Sequence, residues 1–171
     1  MKIKEKGFTL IEFLVYIAIA SIVLGALSDL YFTIYNLRAK NQAVSEGEQQ
    51  GVQIIQLITQ TIRNSASITS PVTAASSTTL TLQTYSSSTS PTVLSIRGGI
   101  VSIQEGTSTA VVLNSPRTSV GNLTFQNLTR SGTHGIIRVS FTISYVNPTS
   151  RTQNNFTRNF YDSAAVRGVY P

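Results

Sequence analysis

The chain has no cysteine, which excludes disulfides and thiolate metal sites. Charge is scarce as well, at 12% of residues. Hydroxyls and amides must therefore cover much of the exterior, which suits an extracytoplasmic surface. From Val52 onward Glu105 and Asp162 are the only acids, too few for an acid/base pair or an oxygen cage around a metal. The single histidine, His134, sits in Gly132-Thr133-His134-Gly135, which reads as a solvated turn. Serines are plentiful, but no spacing supplies one with a base. The composition thus argues against an enzyme and points to no catalytic residue, metal or cofactor. Proline is absent before Pro71, so no such breaker interrupts a helix ahead of that point.

What is present is unevenly spread. At 171 residues there is room for one core and a non-globular appendage. Phe8 to Leu27 reads FTLIEFLVYIAIASIVLGAL, twenty residues that span about 30 Å as a helix, the thickness of a bilayer core. Lys2, Lys4 and Lys6 precede it, and the positive-inside rule keeps that end cytoplasmic and the body outside. One acid, Glu12, interrupts the run. Twelve Phe, Leu, Ile and Val residues contribute about −4 to −7 kcal/mol to insertion. A mid-bilayer carboxylate costs about +3 kcal/mol, and less near the end of the span. The helix inserts, and the acid marks a functional position.

Hydropathy alone leaves two other readings open. One is a secretory signal peptide cut after Ala26-Leu27-Ser28. The other is a plain single-pass anchor, which leaves Glu12 unexplained.

Lys6-Gly7-Phe8-Thr9-Leu10-Ile11-Glu12 resembles the processing site of type IV prepilins and type II secretion pseudopilins. The resemblance covers about the first thirty residues. It implies that a prepilin peptidase cuts after Gly7 on the cytoplasmic side and that Phe8 becomes the N-methylated first residue. It further implies that Glu12 is the assembly glutamate, that other pilin subunits dock along the helix, and that an inner-membrane platform lifts the subunit out of lipid. Physical chemistry agrees. Cleavage creates an amine at Phe8, and pairing Glu12 with a neighbouring subunit's amine relieves two charges in a low-dielectric setting.

The helical pattern continues past Leu27 through Leu30, Ile34 and Leu37. Val44, Val52, Ile55, Ile58 and Ile62 then recur every three or four residues or multiples of that spacing, with Gln and Glu on other faces. The sequence predicts one helix from Phe8 to Asn64, about 85 Å if continuous. Here the chain departs from major type IV pilins, many of which carry a proline in this helix. Gly25, Gly47 and Gly51 are the expected flexible points, and a break at Gly47 and Gly51 is the alternative. Ile62-Arg63-Asn64-Ser65-Ala66 resembles the helix end of W-type minor pilins and J-type minor pseudopilins, which implies a minor subunit.

Beyond the helix, Ser65 to Thr92 is dominated by Ser and Thr and reads as a loop with one strand, Thr79 to Tyr85. Thr92–Ile96 and Gly99–Ile103 flank Arg97-Gly98-Gly99, a hairpin signal. Thr109–Leu113 and Leu123–Leu128 follow. In Ile136–Val146, Ile137, Val139, Phe141, Ile143 and Tyr145 alternate with Arg138, Ser140, Thr142 and Ser144. Asn155–Tyr161 repeats the alternation and is expected to pair with it across Asn147-Pro148. Asn122, Asn127 and Asn155 each begin an Asn-x-Thr triplet.

The expected architecture is α+β, a long N-terminal helix packed on an antiparallel sheet in the pilin manner. Its parts are a leader (1–7), a transmembrane and filament-core helix (8–30), an amphipathic helix (31–64) and a Ser/Thr-rich head (65–171). The expected function is a structural subunit of a pilus or pseudopilus, anchored in the cytoplasmic membrane and then displayed outside it. The alternatives are a secreted or anchored β domain with no filament role, and a basic head that binds DNA. For DNA the contacts would be Arg97, Arg117, Arg130, Arg138, Arg151, Arg158 and Arg167, which are dispersed and have no aromatic platform between them.

Overall fold

The computed structural model describes residues 9–146 and 155–167. One helix, α1 (Leu10–Arg63, 54 residues), opens the described chain. It passes through Gly25, Gly47 and Gly51 without a break. Two compact units divide the protein, Met1–Lys40 and Asn41–Pro171, and the division falls inside α1.

In the first unit, α1 presents every large apolar side chain from Leu10 to Leu37 to the outside, the least exposed being Ile34 at 43%. Three hydroxyls along it turn back onto their own helix. Ser21 Oγ donates to the Ala18 carbonyl, Ser28 Oγ to Leu24 and Thr33 Oγ1 to Asp29, at 2.8 to 2.9 Å. These are the bonds such side chains make when a helix offers no other partner.

In the second unit, α1 packs against antiparallel sheets. Ala43, Gly47, Gly51, Ile54, Ile58 and Ile62 are buried along one helical stripe. Among the described residues nine strands follow: β1 (Ser65–Ser70), β2 (Ser76–Ser77), β3 (Leu80–Thr84), β4 (Thr92–Arg97), β5 (Ile100–Glu105), β6 (Val111–Val112), β7 (Thr118–Asn127), β8 (Ile136–Tyr145) and β9 (Thr157–Ala165). They form two sheets, ordered β1-β3-β4-β5-β6 and β2-β7-β8-β9. All pairings are antiparallel.

Ile54, Ile58 and Ile62 meet Leu80 and Leu82 of β3, Leu94 of β4, Phe125 of β7 and Val139 and Phe141 of β8 in one apolar cluster. Each fully buried isoleucine contributes about 2 kcal/mol relative to exposure.

Two of the three glycines expected as flexible points, Gly47 and Gly51, make room for aromatic rings. A Cβ on Gly47 would lie 2.2 Å from the Phe156 ring, and one on Gly51 would lie 2.1 Å from the Phe160 ring. Both positions are glycine because aromatic rings approach the helix there, and the helix stays whole. Phe160 is paired with Phe141 across β8 and β9, and their rings stack with centroids 5.5 Å apart.

Polar groups fasten the loops. Buried Asn114 accepts from the Val101 N–H (2.9 Å) and donates to the carbonyls of Gly99 (3.2 Å) and Thr118 (2.8 Å). It thereby ties β5 to the start of β7. The neighbouring Ser115 is held on α1: its N–H donates to Gln50 (3.1 Å) and its hydroxyl to Glu46 (3.2 Å). The β4–β5 hairpin turns on Gly98 (φ +58°) and Gly99 (φ +81°), with Arg97 opposite Ile100. Two successive positive φ angles are what a tight hairpin of this hand requires.

The structure adds strands to the expected set. Ser65–Ser70 is β1, paired with β3, where the sequence suggested a loop. Hydroxyl-rich strands carry little apolar alternation, so their signal is weak. β7 starts five residues before the expected strand, at Thr118. A register shift between Gly121 and Thr124, with Asn122 at φ 51°, lets Val120, Leu123 and Phe125 all face inward despite their broken spacing. The strand expected at Asn155–Tyr161 is β9, which runs Thr157–Ala165 and pairs with β8, while Asn147-Pro148 lies outside the described residues.

Candidate functional site

The sequence places its strongest functional signal at the start of α1. Lys2, Lys4, Lys6, Gly7 and Phe8 lie outside the described residues. Thr9 and Glu12 lie within them. Thr9 immediately precedes the helix, and its Oγ1 accepts a hydrogen bond from the Glu12 N–H at 3.4 Å. Thr9-Leu10-Ile11-Glu12 is therefore a capping sequence, in which a hydroxyl satisfies one of the helix's orphan N–H groups. The spacing of Thr and Glu could have revealed this cap beforehand. A carboxylate in the first turn is also favoured by the helix dipole.

Glu12 is the only charged side chain from Leu10 to Ser28. Around it Leu10 is 80% exposed and Ile11 72%. Soluble monomers rarely expose a continuous apolar surface of this extent, and such surfaces mark membrane or protein contacts. Among the described residues, α1 is the one helix long and apolar enough to cross a membrane. With the Ser21 and Ser28 hydroxyls bonded internally, the segment offers lipid or a neighbouring helix mostly hydrocarbon.

The geometry so far defines an anchor-type helix with one acid in its first turn, continued into a β head. Comparison with known families sharpens that. Residues 2–28 match the prokaryotic N-terminal methylation motif. The chain carries this prepilin-type signal, consistent with a type IV pilin-like protein, and the signal implies processing by prepilin peptidase and assembly with other pilins. No curated protein and no solved structure matches the chain.

The described arginines of the head lie on separate elements. Arg117 lies 3.6 Å from Glu46 and Arg158 pairs with Glu48, so both engage acids of α1. Arg97 ends β4 in the five-stranded sheet, and Arg130 is exposed in the turn before β8. Arg138 is exposed on β8, on the face opposite to the buried Ile137 and Val139. Arg167 is exposed just after β9, and Arg151 lies outside the described residues. The remaining polar candidates are equally separate. His134 is exposed ahead of β8, Glu105 ends β5 and Asp162 is on β9.

Asn127, which begins one of the Asn-x-Thr triplets, is 4% exposed. Its amide donates to the Pro71 carbonyl at 2.7 Å and its side-chain oxygen accepts from the Thr129 N–H at 3.0 Å. It is a structural bolt, closed to any attached sugar.

Proposed function

We propose that the chain is a non-enzymatic structural subunit of a type IV pilus or type II secretion pseudopilus. It is cut between Gly7 and Phe8, methylated on the Phe8 amine, and held in the cytoplasmic membrane with its leader inside and its head outside. From there it enters a helical fibre beyond the membrane through α1. The carrying observation is Glu12 standing alone in an exposed apolar surface within the methylation motif.

A lone carboxylate in that setting is stabilised when a cation comes to it, and the amine freed at Phe8 of a neighbouring subunit is such a cation. Glu12 then acts as a register pin. A subunit docked one turn out of place leaves both charges unpaired in a low-dielectric core. The helix ending at Ile62 to Ala66 supports a minor position in the fibre over a major one.

The mature N-terminus tests the reading. Mass spectrometry of protein from the native host is expected to find a chain beginning at methylated Phe8. A chain beginning at Asp29 would instead mean a secretory signal peptide, and retention of Met1 would mean a plain anchor.

A further inference from the structure

The four-stranded sheet has an outer face that the filament reading does not use. On β8 its residues are Arg138, Ser140, Thr142 and Ser144, which alternate with the buried Ile137, Val139, Phe141 and Ile143. Directly opposite them on β9 stand Ser163, Tyr161, Asn159 and Thr157. On the other side β7 contributes Gln126, Thr124 and Ser119 in the same rows. Hydroxyls and amides fill nearly every position, and among the described residues of these rows Arg138 is the single charge.

Charge is scarce over the whole chain, at 12% of residues, so it is the regular placement of the polar groups that sets this face apart. It carries hydrogen-bonding groups of both senses at sheet spacing, about 4.8 Å between strands and about 6.8 Å along each. Neighbouring side chains already bridge parts of it. Thr142 Oγ1 donates to Asn159 Oδ1 at 2.8 Å, and Thr157 Oγ1 donates to Ser144 Oγ at 3.4 Å. These bonds hold the side chains in place.

On that lattice stands Tyr161, 81% exposed. A large aromatic left in water beside Ser, Thr and Asn is the composition used for recognition. The ring gives contact area at low entropy cost and the small polar groups give adaptable hydrogen bonds.

We propose that this face binds an extended neutral polysaccharide. The sugar ring's apolar side would lie against Tyr161, and its hydroxyls would exchange hydrogen bonds with the Ser, Thr and Asn rows. The charge balance favours a neutral polymer, since Arg138 alone cannot hold a polyanion by phosphate or carboxylate contacts. The lack of aliphatic side chains on the face disfavours a protein, whose interface core would need them. The repeat along the strands suits a polymer of like units.

The test uses full-length protein in a polyoxyethylene-ether detergent, so that no sugar headgroup competes, passed over cellulose and chitin beads. Alginate and duplex DNA beads serve as anionic probes. Retention on cellulose or chitin is expected, unchanged by raised salt. Tyr161→Ala should lower it about tenfold, the range of an aromatic anchor, while Tyr161→Phe preserves it. Because Tyr161 is so exposed, both variants should melt with the wild type.

Three results overturn the proposal: no retention on either neutral polymer, retention that Tyr161→Ala leaves intact, or retention confined to the anionic beads and lost with salt and with Arg138→Gln. None of these bears on filament assembly, which Gly7 cleavage and Glu12 decide separately.

Discussion

One helix, α1, lives under two regimes. From Leu10 to Leu37 its large apolar side chains are all exposed, whereas from Ala43 to Ile62 a single stripe is buried against β-sheets. The second half finishes its folding inside the chain. The first half cannot, and its surface remains free energy in waiting until lipid or other helices cover it. The lesson is that the same secondary structure can serve as a core element and as an interface, and only the neighbours tell which.

The contrast can be broken most severely at Glu12. Glu12→Ala should leave processing at Gly7 and membrane insertion intact yet reduce the subunit in sheared, purified fibres to background by immunoblot. Normal incorporation of that variant would falsify the pairing role. Next in size is a matched pair of truncations. Ile58→Ala should destabilise the head by about 2–5 kcal/mol, read from its denaturation midpoint, while Leu24→Ala should leave the same midpoint where it was.

Glycines give an opposite-sign version of the comparison. Gly51→Ala pushes a methyl to within 2.1 Å of the Phe160 ring and should cost about 1–3 kcal/mol through overpacking. Gly25→Ala meets nothing within 4 Å and should instead raise helix stability by about 1 kcal/mol. Circular dichroism of both variants in detergent checks the pair; a stabilising Gly51→Ala would mean that the ring moves aside freely. The smallest effect belongs to Arg117→Gln. That pairing of an exposed arginine with the half-buried Glu46 should account for at most about 1 kcal/mol, and the loss should shrink as salt is added.

The helix and its acid were legible because their signals are local. An apolar run with Glu12 inside it, a missing proline and a three-to-four spacing all sit within a few turns of chain. The β8 alternation was legible for the same reason, and so was the Gly98-Gly99 turn. What escaped depended on partners far away in sequence. β1 has almost no apolar pattern and exists because β3 lies beside it. The first half of β7 was hidden because the shift near Asn122 breaks the two-residue period that the inward-facing Val120, Leu123 and Phe125 would otherwise keep.

The fit of Gly47 and Gly51 to Phe156 and Phe160 was not legible, because those rings lie more than a hundred residues on. The Thr9 cap, by contrast, is local and rests on the Thr-x-x-Glu spacing alone. The arginines looked like one population in the sequence. Folding divides them, giving Arg117 and Arg158 to acids of α1.

The buried stripe of α1 also sets an order of events. Ile54, Ile58 and Ile62 pack on residues that all come later in the chain, from Leu80 to Phe160. During synthesis the helix is therefore made before any of the strands that cover it. Its apolar stripe waits for the last described strand, β9, before the head can close.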